Sequence, residues 1–200
     1  MTGVVRARRR RFTPEREAGV YGAVLDLLRE VGYDALTMNA VAVQTRSSKA
    51  TLYRRWGGKA ELVAKAVRHY RPGPSLEDFD TGSLNGDLSA LMLRTDDRAM
   101  EENAALMRGL ATAVHANPDL REAFRDHVIE PEMAELHRIL QRAIERGEVR
   151  ADNPAIDLVM HVIIGGFVGR TFIDEQPPTR AFLLSYIDAV VLPALGVPTA

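Results

Sequence analysis

The 26 residues from Thr37 to Leu62 read as a short helix, a tight turn, a second short helix and the start of a third. Thr37 is placed to cap the first helix, where Met38, Val41 and Ala42 fall at i, i+3 and i+4 and make one apolar stripe. Arg46 and Ser47 form the turn, and Ser48 can cap a second helix whose Leu52 and Trp56 lie four apart on one side. At about 100° per residue, Ala50 and Arg54 project to the opposite side, with Thr51 and Tyr53 flanking them and Lys49 at the rim. The outer face is therefore small, hydroxylic and cationic.

Two short helices crossing steeply, the second presenting polar and basic groups to solvent, are what reading a DNA major groove requires. An ordinary helical hairpin with a solvated charged face fits the spacing equally well. The residues themselves go further. Thr37, Val41-Ala42, Ser48-Lys49, Thr51-Leu52-Tyr53, Trp56 and Lys59-Ala60-Glu61-Leu62, in that order and spacing, resemble the N-terminal DNA-binding region of the TetR family of transcriptional regulators, over about Arg11 to Val67. The resemblance implies that Ser48, Lys49, Ala50, Thr51, Tyr53, Arg54 and Arg55 are the DNA contacts of the recognition helix, with Thr37 and Lys59 on phosphate at neighbouring helix ends. Two positions depart from the family pattern: Arg46 stands where it has Gly, and Ser47 where it has an aliphatic residue. A left-handed Arg46 would cost about 1 kcal/mol relative to Gly.

Charge is divided along the chain. Up to Arg71 there are 15 Lys and Arg against 6 Asp and Glu; the remainder holds 11 against 21, so a net −1 hides a basic first third and an acidic body. A polyanionic partner for the first part follows. Arg6, Arg8, Arg9, Arg10 and Arg11 extend the basic region into an N-terminal arm, residues 1–12, of the kind that is disordered when free and can reach DNA.

Around this motif the whole chain reads as all-α. Thr13-Pro14-Glu15 starts a helix carrying Val20, Ala23, Val24, Leu27, Leu28 and Val31 until Gly32 stops it. Residues 13–57 make a three-helix helix-turn-helix domain, and a helix over 58–71 links it to the rest. Pro, Gly, Ser and Asp from Pro72 to Asp87 mark a linker, and residues 72–200 form a helical domain in which Pro131 should kink or break the pattern. Paired acids such as Asp96-Asp97 and Glu101-Glu102 read as a solvated face.

Its last two helices, 156–172 and 182–193, are strongly apolar, the first on nearly every side, so it needs cover all round. Gly165-Gly166 would let another helix approach closely. The pair is either the core of the C-terminal half or a self-complementary interface. The resemblance implies the second, a four-helix bundle with another subunit, built here from Ile156, Val159, Ile163, Phe167, Leu183, Ile187 and Val190. Met100, Leu106, Met107, Leu110, Phe124, His127, Met133 and Phe167 suit either ordinary core packing or an apolar ligand cavity. Regulators of this family sense small molecules in the C-terminal domain, which implies the cavity.

With 46% hydrophobic residues a packed core is available, and the absence of cysteine leaves no disulfide framework or thiolate metal site. The five histidines show no metal-ligand spacing and no serine sits in a nucleophile elbow, so neither a catalytic residue, a metal nor a cofactor is expected. The apolar stretch from Leu158 to Gly169 reads as too short to span a bilayer. The expectation is a cytoplasmic, non-enzymatic, homodimeric repressor that binds a palindromic double-stranded DNA operator and is released by a small-molecule effector, with no membrane partner. The alternative is a helical adaptor, or a metal-binding or enzymatic bundle, whose basic region merely docks it.

Overall fold

The computed structural model describes residues 13–70, 80–94 and 96–198. The arginine-rich arm and most of the expected linker lie outside them. All the regular elements among the described residues are helices. Thr13 opens α1 (Pro14–Ala35) by accepting the Arg16 N–H, with Pro14 and two acids in the first turn. Gly32, at φ 74 and ψ 176, interrupts it, and the Leu36 N–H returns to the Gly32 carbonyl at 3.3 Å. Thr37 then caps α2 (Met38–Gln44), and Ser48 caps α3 (Lys49–Trp56). The turn between them is closed by Ser47 N–H to the Ala42 carbonyl at 2.9 Å, with Arg46 left-handed at φ 49. The motif therefore keeps the conformation that glycine would adopt freely and accepts the small cost of Arg. Gly57, at φ 77, ends α3, and α4 (Lys59–His69) follows at once.

The body continues with α5 (Leu84–Met92), α6 (Asp97–Ala116), α7 (Pro118–Phe124) and α8 (Glu130–Glu145). At Pro131, where a kink or break is expected, the helix does not end but passes through a π-turn over Arg125–Ile129, in which the Glu130 N–H reaches back five residues to the Arg125 carbonyl. Proline has no N–H to give the next rung, so one inserted residue immediately before it lets the helix pass from α7 into α8. Asn153 caps a 3-10 turn (Pro154–Leu158) that leads into α9 (Val159–Phe172), and α10 (Arg180–Tyr186) passes through a second π-turn, Ile187–Val191, into the short α11 (Leu192–Ala194).

Two apolar cores result, and their border differs from the chain's apparent division. The first joins α1 to α4 with Leu106, Leu110 and Ala113 of α6 and Leu120, Ala123 and Phe124 of α7. Helix α4, expected as a link, lies inside it, since Leu62, Val63, Ala64 and Ala66 are fully buried. The second joins Leu84 and Leu88 to Leu136, Ile139, Leu140 and Ala143 of α8 and to Val159, Ile187 and Val191. A buried carboxylate, Asp87, ties that core together by accepting from the Thr81 N–H and hydroxyl, both at 2.8 Å, and from Arg146 at 3.2 Å and Arg142 at 3.4 Å. The acid pair Asp96-Asp97 is not merely solvated: Asp96 caps α6, and Asp97 accepts the Arg180 N–H that opens α10 at 2.7 Å.

The paired glycines of α9 have separate roles. A Cβ on Gly166 would stand 2.7 to 3.1 Å from ring atoms of Tyr186, whose hydroxyl donates to the Val162 carbonyl at 3.0 Å; a Cβ on Gly165 would meet nothing within 4 Å. Gly166→Ala should therefore destabilise the fold by about 1 to 3 kcal/mol, since the anchored ring has to shift. Urea unfolding checks this, and an unchanged midpoint would mean that α9 and α10 pack more loosely.

The segment Pro154–Phe172 is 19 residues long with a mean hydropathy of 1.5, so by length and composition it could cross a bilayer, contrary to the shorter stretch read from the sequence. The 3-10 turn adds the extra length. Only 11% of it is buried within the protomer, and Asp157, His161 and Arg170 lie along it.

Candidate nucleic-acid interface

Helix α3 is held by Leu52, 0% exposed, and Trp56, 3% exposed, and so shows its other sides to solvent. Lys49, Ala50, Tyr53, Arg54 and Arg55 are exposed and Thr51 is half-buried. The Lys49 ammonium lies 5.8 Å from the centre of the Tyr53 ring, which couples a charge to the flat face of an aromatic on the outer surface. Arg54 projects directly away from the core and makes no ion pair among the described residues. A guanidinium left free on a helix of major-groove width is a donor fork for guanine or phosphate.

Other expected contacts are engaged within the protein. The Ser48 hydroxyl accepts the Thr51 N–H at 3.2 Å and shares a hydrogen bond with the Thr51 hydroxyl at 2.8 Å. Thr37 is exposed but caps α2 by accepting the Ala40 N–H at 3.1 Å. The Lys59 ammonium donates to the Tyr33 carbonyl at 2.9 Å and sits 4.1 Å over the Tyr33 ring. That carbonyl lies in the short turn after the Gly32 interruption. An ammonium has three donors, so one bond to Tyr33 orients Lys59 and leaves two for a phosphate.

Arg55 donates to Glu17 of α1 at 2.8 Å. Burial by itself would push the Glu17 carboxyl up, but hydrogen bonds from Tyr21 and Arg55 and the Arg55 charge outweigh it and hold Glu17 below the usual carboxylate range. Glu17 carried no signal in the sequence beyond its place in the first turn of a helix. Only the return of α3 onto α1 gives it a role.

Behind this face, α4 is tied to the body by polar pairs. Glu61 meets His127 of the first π-turn at 2.8 Å, Arg68 pairs with Glu132 of α8, and the Tyr70 hydroxyl donates to Glu102 of α6 at 3.2 Å. Glu135, buried in α8, takes Arg94 at 3.0 Å. For Glu61, burial is again outweighed by bonds from Lys65 and His127, and the carboxyl stays below its ordinary range.

The residues put forward for an apolar ligand divide between the packed core and the surface. Leu106, Leu110 and Phe124 belong to the first core, with Met107 packed against it, and Met100 is 6% exposed. Met133 is 40% exposed and Phe167 is half-buried in α9. One cleft of about 490 Å³ opens between α1, α4 and the π-turn, and His127 alone of the eight lines it. A second, of about 460 Å³, is rimmed by Lys59, Glu61, Asp119, Glu122 and Asp126 and contains none of them.

The residues put forward for an interface divide as well. Val159, Leu183 and Ile187 are at most 4% exposed and serve the protomer's own core, while Ile156, Ile163 and Phe167 are half-buried. The face left in water carries Leu158, Ile164, Val168 and Phe172, 42 to 58% exposed, with Ile173 next in sequence after them, and Val190 of the second π-turn is 39% exposed. His161 and Gly165 complete the stripe, at the three- and four-residue steps that keep one side of a helix together.

This architecture, a capped helix-turn-helix with a cationic outer helix on an all-helical body, defines a helix-turn-helix regulator. Residues 22–66 match the family model for bacterial regulatory proteins of the tetR family, and residues 78–190 match the Tetracyclin repressor-like C-terminal domain. An uncharacterised HTH-type transcriptional regulator of Mycobacterium bovis is 36% identical over 188 residues, covering 90% of this chain and 88% of that protein. The DNA-binding transcriptional repressor TetR of Mycobacteroides abscessus is 35% identical over 178 residues, 88% of this chain and 92% of its own. The crystal structure of the TetR family transcription regulator SCO0332 superposes with a TM-score of 0.64 at 27% identity, over 90% of this chain and 98% of that one. The chain belongs to the TetR family of transcriptional regulators.

Proposed function

We propose that this regulator is a repressor that binds a palindromic operator as a homodimer, through the outer face of α3, and is released when a small molecule binds its body. The observation that carries the reading is the pairing of a core-locked Leu52 and Trp56 with an outward Lys49, Ala50, Tyr53 and unpaired Arg54. The Mycobacteroides relative, named a repressor, supports the direction of regulation. Thr37 and the oriented Lys59 fit phosphates beside the groove. The uncovered stripe on α9 fits a second copy, and the two-fold axis that results would match the operator's palindrome. Release follows if an effector moves α4, which shares a core with the DNA-binding helices and carries polar ties to α6, the π-turn and α8. A cytoplasmic location accords with regulators of this family.

Selection of bound sequences from random duplex DNA tests the reading and yields the operator. Specific affinity should fall steeply with salt, log K dropping by about 0.9 for each phosphate neutralised per unit of log salt. Arg54→Ala should relax preference at one base position, whereas Lys59→Ala should weaken all duplexes alike. Equal affinity of the wild type for every duplex would overturn the operator reading.

A further inference from the structure

Arg55 and Arg54 are adjacent on the recognition helix, yet the fold treats them differently. Measured from the direction shared by Leu52 and Trp56, Arg54 points about 180° away and Arg55 only about 80°, on the flank nearest α1. There Arg55 meets one oxygen of Glu17 at 2.8 Å, and the other oxygen of Glu17 accepts the Tyr21 hydroxyl at 2.8 Å. Tyr21 in turn accepts the Trp56 indole N–H at 3.1 Å. Successive residues of α3 are thus tied to successive turns of α1 through one carboxylate. Arg16 adds a third tie, reaching the Ser47 hydroxyl of the turn at 3.4 Å. One contact would set only the distance between the helices; two at neighbouring positions also oppose rotation of α3 about its own axis.

We infer that Glu17 and Arg55 are a positioning pair that sets the rotation of the recognition helix, so that Arg55 acts on DNA through the aim of Arg54, Tyr53 and Lys49 and neutralises no phosphate itself. The inference rests on the proposed reading of α3 as the DNA-contacting helix. It assigns a function to Glu17 and removes Arg55 from the contact set. The Arg55 charge is already matched by a carboxylate only 22% exposed, so giving it to a phosphate would strand Glu17 beside DNA.

The two possibilities predict opposite signs for one substitution. If Arg55 is a DNA contact, Glu17→Gln removes the carboxylate that competes for it, so affinity should rise, and Arg55→Gln should make the salt slope shallower by about 0.9. If the pair positions α3, Glu17→Gln and Arg55→Gln should each lower specific affinity by about tenfold, with the wild-type salt slope and unchanged non-specific binding, and the double variant should be no worse than either single one. The selected operator and a scrambled duplex are the probes, titrated by fluorescence anisotropy at several salt concentrations, with Arg54→Gln as the variant that does lose slope. Circular dichroism confirms that each variant is folded before titration. A gain of affinity in Glu17→Gln, a shallower slope in Arg55→Gln, or additive losses in the double variant would overturn the pair. Wild-type protein that does not distinguish the two duplexes would instead overturn the reading beneath it.

Discussion

Replacing Asp87 by alanine should remove about 3 kcal/mol of stability and lower the melting temperature by about 6 to 12 °C, a loss as large as truncating a buried leucine of the same core. The side chain is fully buried and accepts four hydrogen bonds, two from Thr81 and one each from Arg142 and Arg146. Removing it leaves two half-buried guanidinium groups facing a void between α5 and α8. Asp80 and Glu148, both bonded to Arg146, soften the loss and place it at the lower end of the range for broken buried pairs. The effect also has a pH signature. Burial would raise the Asp87 carboxyl, but the Thr81 and Arg146 bonds and the Arg142 charge prevail and hold it below the ordinary aspartate value. A carboxyl depressed on folding contributes its full stability above its unfolded pKa, about 3.9, and loses it as pH falls through the lower folded value. The gap between wild type and Asp87→Ala, measured by urea unfolding, should be constant from neutral pH down to about 5 and close below about 4. A loss under 1 kcal/mol at pH 7, or a gap that widens in acid, would contradict this account.

Asp87 also marks where the sequence stops being legible. Ser83, Asn85, Gly86 and Ser89 around it would suit a solvated turn as well as a helix, and nothing local separates a buried acid from a solvated one; its partners Arg142 and Arg146 lie more than fifty residues away. The helix-turn-helix lies at the other extreme. Thr13, Thr37 and Ser48 act as caps and Arg46 adopts the left-handed turn because each depends on residues within one or two helical turns, and the four-residue spacing of Leu52 and Trp56 already marks the side of α3 that the rest of the core covers. The π-turn before Pro131 falls between these cases. The proline is visible in the sequence, but whether a helix breaks or inserts a residue depends on what both flanks pack against. The residues put forward for a ligand divide between core and surface for a related reason: apolar character marks burial without saying whether a side chain meets a cavity or another side chain. The same ambiguity put Val159, Leu183 and Ile187 on an interface when the protomer's own core takes them.

Val168→Glu should convert the protein from dimer to folded monomer and abolish operator binding at protein concentrations that saturate the wild type. Val168 is 49% exposed and lies on the stripe with Leu158, Ile164 and Phe172, so a carboxylate there costs the protomer almost nothing and circular dichroism should be unchanged. In a dimer built on this face the same carboxylate is taken out of water without a partner, and two-fold symmetry repeats it in the second copy. The penalty is at least about 3 kcal/mol, or roughly two powers of ten in the dimer dissociation constant. Gly165, outward and without a neighbour within 4 Å, would let the paired helices approach where a larger residue would hold them apart. Operator affinity falls with assembly because half-sites one helical turn apart are bound together only when two recognition helices are linked. Light scattering reports the mass and anisotropy the DNA affinity. A monomeric wild type at micromolar concentration, or a Val168→Glu protein that remains dimeric, would show that the apolar stripe on α9 is covered by something other than a second copy of this chain.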